Sequence, residues 1–151
     1  MRKLLSIIFA TVMAFALCVS AFAANETDGT TTLTATISSN YNITIPADAS
    51  ILFEAVSTPI GNVGISEARL EPNKKVTISA STDGELVNTA DTDKVIAYAL
   101  KSGGQAFTSA SFMANGTVAL TIDIEATAWN SAVAGTYKDA ITFTAVYESI
   151  A

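Results

Sequence analysis

From Thr31 the chain alternates: Leu33, Ala35 and Ile37 fall on one side, and Thr32, Thr34 and Thr36 on the other. Period-two alternation with threonine partners predicts a half-buried strand over 31–37. Ile43 and Ile45 repeat the pattern up to Pro46, and Ile51-Leu52-Phe53 reads as a short apolar run after the turn Pro46-Ala47-Asp48-Ala49. Ser57-Thr58-Pro59 and Gly61-Asn62 read as loop. Val63, Ile65, Ala68 and Leu70 suggest a strand with an irregularity near Glu67. Glu71-Pro72-Asn73-Lys74 is a turn signal, because proline presets the φ that the second turn position needs. Val76, Ile78 and Ala80 then alternate with Lys75, Thr77 and Ser79, and Ser81 to Asp93 reads as a polar loop.

In Val95 to Lys101 the larger side chains Ile96, Tyr98 and Leu100 are expected to face the core. Ser102-Gly103-Gly104-Gln105 is a hairpin signal, since glycine adopts positive φ freely. Asn115-Gly116 is a second tight-turn pair. Val118, Leu120, Ile122 and Ile124 form the strongest strand pattern of the chain, and Ile141, Phe143, Ala145 and Tyr147 share one face of the last. No stretch after the N-terminal apolar run keeps a 3.6-residue period, and the polar partners are threonine and serine, which favour strand over helix. The expectation is an all-β chain: a single antiparallel β-sandwich, immunoglobulin-like or pilin-like, of seven to nine strands.

The N-terminus has a different pattern. Arg2 and Lys3 precede an apolar run from Leu4 to Val19, followed by Ala21-Phe22-Ala23. A run of about 16 residues is short of the roughly 20 that span a bilayer, and small residues close it. Residues 1–23 therefore read as a cleaved signal peptide, 24–30 as a flexible polar leader and 31–151 as the sandwich domain. Cys18 reads as part of the apolar run, because Leu17 is too bulky for a lipoprotein cleavage site. The expected product is secreted, extracellular or at the cell surface. The chain ends on Tyr147-Glu148-Ser149-Ile150-Ala151 without a cell-wall sorting pattern, so attachment is expected to be non-covalent or through partners.

Cleavage sharpens the composition. Removing 23 of 151 residues leaves 128, with no cysteine, six basic and fourteen acidic residues. No disulfide can staple this chain, so its core must hold it. A net charge of −8 disfavours nucleic acid and anionic lipid as partners. The absence of histidine removes the commonest acid–base and metal-binding side chain.

Other chemistry is sparse. Asp123 and Glu125 share a strand face opposite Ile122 and Ile124, the arrangement of a solvated edge rather than of a catalytic pair with one raised pKa. No serine lies in Gly-x-Ser-x-Gly or Ser-x-x-Lys. No catalytic residue, cofactor site or metal site is assigned. Asp83, Glu85, Asp91 and Asp93 are weak calcium candidates, as hard oxygen ligands close in sequence. Trp129, the only tryptophan, and Tyr41 are the candidate platform for a carbohydrate.

Ala134-Gly135-Thr136-Tyr137 precedes the last strand. Gly135 can supply a bend and Tyr137 can pin it by bonding back to an upstream backbone group, as in a tyrosine corner, or simply pack beside a glycine turn. With Leu33-Thr34-Ala35-Thr36-Ile37, Tyr41-Asn42-Ile43-Thr44-Ile45-Pro46 and the ending Ala134 to Thr144, the chain resembles small secreted bacterial surface sandwiches: fimbrial subunits, spore-coat-U-like proteins and Gram-positive immunoglobulin-like surface domains. The resemblance covers the two ends of the exported chain and little of its middle. It implies a non-enzymatic structural or adhesion-type protein whose partners are itself or other surface proteins; the alternating segment Thr31 to Ile37 is expected either to pair within its own domain or to self-associate by pairing with a neighbour's open sheet edge. The other reading is an extracellular module for carbohydrate or calcium.

Overall fold

The computed structural model describes residues 31–150; the signal peptide and leader assigned from sequence lie outside them. Among the described residues there are eleven strands and one short helix. They are β1 (Asn40–Thr44), β2 (Ser57–Arg69), β3 (Lys74–Ser81), β4 (Glu85–Asn88), β5 (Val95–Ala97), β6 (Ala99–Ser102), β7 (Gln105–Ala106), β8 (Ser109–Phe112), β9 (Gly116–Asp123), α1 (Ala126–Asn130), β10 (Tyr137–Lys138) and β11 (Thr142–Ser149). Every pairing is antiparallel. The order is β1-β2-β9-β6-β7 in one sheet, β11-β3-β8 in a second and β10-β4-β5 in a third, smaller one.

The alternation dictates the core. Val63 and Ile65 of β2, Leu120 and Ile122 of β9 and Leu100 of β6 face Val76 and Ile78 of β3, Phe112 of β8 and Ile96 of β5, all buried. This is sheet on sheet, the sandwich that the pattern predicts. Each fully buried Val or Ile contributes roughly 1.5–3 kcal/mol relative to exposure, which replaces the stabilisation a disulfide would bring.

The strand count exceeds seven to nine because the chain changes sheets more often than its pattern reveals. The run from Val95 to Lys101 is two strands: β5 belongs to the small sheet and β6 to the large one, with Tyr98 alone at the switch. Ile96 and Leu100 are buried and Tyr98 half-buried, so the facing holds across the break. The polar loop Ser81–Asp93 contains β4, whose only large apolar residues are Leu86 and Val87. Ser57-Thr58-Pro59 lies inside β2 rather than in a loop. Pro59 is tolerated there because β2 bulges between Pro59 and Gly61, and β1 pairs only with Gly64–Arg69. The irregularity near Glu67 is a bulge with Glu67 at φ 50°, held by Asn42 Nδ2 donating to Glu67 Oε2 (2.7 Å) and by Ala68 N–H donating to Asn115 Oδ1 (2.7 Å).

The strand expected over 31–37 is absent, and the short apolar run Ile51-Leu52-Phe53 is not a strand either. Residues 31–39 have no regular structure, with Leu33 91 % and Ile37 68 % exposed. Ile51-Leu52-Phe53 leads into a turn, closed by Ala55 N–H to Leu52 O (3.1 Å) with Glu54 left-handed at φ 62°. Both segments have the composition of strands, and neither belongs to a ladder among the described residues.

Candidate functional site

A groove of about 820 Å³ opens on the core. Its floor is made of Ile60 (β2), Leu86 (β4), Ile96 (β5) and Ile122 (β9). One wall is the irregular segment Pro46–Ile51, whose Pro46 backbone passes over Gly61 (φ 118°), where a side chain would be strained. The other wall runs from Gly135 through β10 to Phe143 at the start of β11. Phe53 and Trp129 also line it, meeting edge to face with centroids 5.6 Å apart. The indole is fixed by its Nε1–H donating to Ala55 O (3.0 Å).

Among the described residues, two strand margins at this groove pair with no strand. β11 pairs with β3 along its whole length and, among the described residues, with no strand on its other side. β2 pairs with β9 over Ser57–Val63, beyond the reach of β1. On β11, Phe143, Ala145 and Tyr147 are half-buried and Thr142, Thr144 and Val146 exposed. An open edge of eight residues is a ready template for another strand.

The β10–β11 wall is built by three contacts. Tyr137 Oη donates to Val133 O (2.9 Å) and accepts from Val133 N–H (3.2 Å), bonding back four residues as a tyrosine corner does. Gly135 packs on the side chain of Asn88, the one buried polar residue among those described. Asn88 Oδ1 accepts from Ala90 N–H (2.8 Å). Asp139 Oδ2 accepts from Tyr98 Oη (2.5 Å) and Thr82 Oγ1 (2.9 Å), and its Oδ1 from Ala140 N–H (2.7 Å). Partial burial pushes the Asp139 carboxyl up, but the bonds from Tyr98, Thr82 and Ala140 outweigh it and hold it below the usual carboxylate range. Burial first, and then Asp139, push the Tyr98 phenol up to about 12.

The candidates named from sequence scatter over this frame. Gly135 and Tyr137 lie in the groove wall and Trp129 at its lining. Tyr41 is elsewhere, against Tyr147 with centroids 5.9 Å apart, so it shares no platform with Trp129. Asp83, Glu85, Asp91 and Asp93 do not converge: among the described residues no group of three or more acidic, histidine or cysteine side chains is placed to hold a metal. Glu85 is committed to β4, and Asp91 Oδ1 accepts from Asp93 N–H (3.1 Å) in a local turn. Asp123 is tied up by Ser57 Oγ (2.6 Å) and Lys101 Nζ (3.0 Å), and these hold its carboxyl low. It has none of the raised pKa of a catalytic acid.

Sequence reasoning missed Tyr98, Thr82, Asp139 and Asn88. Asp139 follows Lys138 and precedes a strand, like many solvated acids. Asn88 sits in a polar stretch that gives no sign of burial. The sequence matches no protein-family model and no curated protein.

Proposed function

We propose that this chain is an exported, non-enzymatic structural protein of the bacterial cell surface or extracellular space, and that it self-associates by lending residues 31–37 to the groove of a neighbouring copy. The observation that carries this reading is a mismatch within one chain. Among the described residues a segment with strand alternation pairs with no strand, while β11 has an open edge beside a groove with an apolar floor and a partly polar rim. Strand addition satisfies both. Main-chain bonds along the edge supply affinity and alternate side chains supply register. Leu33 and Ile37 each bring roughly 1.5–3 kcal/mol of apolar burial if they enter the groove. The resemblance to fimbrial, spore-coat-U-like and Gram-positive surface sandwiches points the same way. Amide hydrogen exchange at increasing concentration tests the reading. The β11 amides should gain protection as concentration rises, and concentration-independent exchange there would count against it.

A second reading rests on Phe53 and Trp129 in the groove: an extracellular carbohydrate-binding module, with the exposed Phe53 ring and the edge of the indole as platform. Soluble polysaccharides should then change Trp129 fluorescence, and no response across several polymer classes removes this option.

A further inference from the structure

Three of the four chain crossings into or out of the small β10-β4-β5 sheet meet at one carboxylate. Thr82 follows β3 as the chain leaves for β4, Tyr98 separates β5 from β6, and Asp139 lies between β10 and β11. Both hydroxyls donate to Asp139, Thr82 Oγ1 also accepts from Gly84 N–H (2.9 Å), and Ala140 N–H closes the set. No salt bridge among the described residues involves Asp139. Its charge is balanced by neutral donors drawn from three separate crossings. Tyr98 and Asp139 also line the groove, and β11 starts three residues later at Thr142.

We propose that Asp139 is the positioning residue of the strand acceptor: its carboxylate fixes the Gly135–Ile141 wall and so sets where the free edge of β11 begins. This rests on the acceptor reading above and adds the residue on which acceptance depends. The titratable neighbours are Tyr98 and, acting on Tyr98, Asp83. Tyr98 stays neutral until far above pH 7, so acid acts on the cluster through Asp139. Charge-assisted bonds are the strong ones, and weakening two of them loosens the wall.

The test is uptake of a synthetic peptide, residues 31–40 of this sequence, by the full exported chain. The peptide has no ionisable side chain, so any side-chain pH dependence belongs to the protein. The wild-type chain should bind it at pH 7 and progressively less towards pH 3. Asp139→Asn should bind roughly tenfold more weakly at pH 7, with a flat profile below pH 5. Tyr98→Phe, which keeps the ring and removes one donor, should fall between them. Circular dichroism in the same buffers reports folding. Wild-type affinity and an unchanged pH profile in Asp139→Asn overturn the positioning role and leave the acceptor standing. Uptake that is lost only together with the β signal also overturns it, as a role in the fold alone. No uptake by the wild-type chain at any pH overturns the acceptor reading itself, and this proposal with it.

Discussion

Gly135 lies so close to Asn88 that a Cβ on the glycine would overlap the amide Nδ2. Asn88 cannot retreat, because it is 2 % exposed and its Oδ1 holds the backbone of the loop after β4. Gly135→Ala should therefore destabilise the fold by about 1–3 kcal/mol, the range of overpacking against a buried side chain. Urea unfolding followed by Trp129 fluorescence checks this, with an unchanged m-value expected.

Tyr137→Phe isolates the corner bond. The ring stays and the phenol contacts with Val133 O and N–H go. The expected loss is about 1–2 kcal/mol, as for a hydrogen bond whose partners are left partly unsatisfied. A loss below about 0.3 kcal/mol would make the tyrosine a packing residue only.

Acid should weaken the fold in a defined direction. Asp139, Asp123 and Glu148 are all held below the usual range: Asp139 by its hydroxyl and amide donors against burial, Asp123 by Ser57 and Lys101, Glu148 by Thr77 and Lys75. A depressed folded-state pKa gives stability that is present above the unfolded value, about 4, and lost as pH falls through the folded one. The melting temperature should hold from pH 7 to about 5 and fall below about 4, with a shallower fall in Asp139→Asn. At the alkaline end the sign reverses. Tyr98 is raised to about 12, so its contribution is complete below about pH 10 and lost as pH climbs through 12. Tyr98→Phe should remove that part of the alkaline loss.

Leu33 and Ile37 are exposed at 91 % and 68 %. Replacing both with aspartate should leave thermal stability at low concentration within about 0.5 kcal/mol of wild type, the usual range for surface changes. It should abolish self-association. Lost stability at low concentration would place these residues in the fold of the isolated chain instead.

The core was legible because alternation reports burial directly. Val76 and Ile78, Leu120 and Ile122, and the shared face of Phe143, Ala145 and Tyr147 all follow from period two. The hairpin at Gly103-Gly104 was legible because both residues take positive φ, 55° and 81°. The sheet switches were not. Nothing in Ala97-Tyr98-Ala99 distinguishes one strand from two, since the facing is conserved across the break. The strand expected over 31–37 fails for a complementary reason: alternation states a capacity to pair and cannot state whether a partner strand exists. The groove inherits both difficulties, being made of segments that look like strands or loops and are distinguished by their neighbours alone.

The most direct measurement is the molar mass of a chain of residues 24–151 by size-exclusion chromatography with light scattering, over a wide concentration range, beside the same chain with residues 24–39 removed. The proposal predicts masses that rise with concentration for residues 24–151, and a folded monomer for the shortened chain. A strict monomer in both at high concentration, or the same oligomer in both, would contradict it.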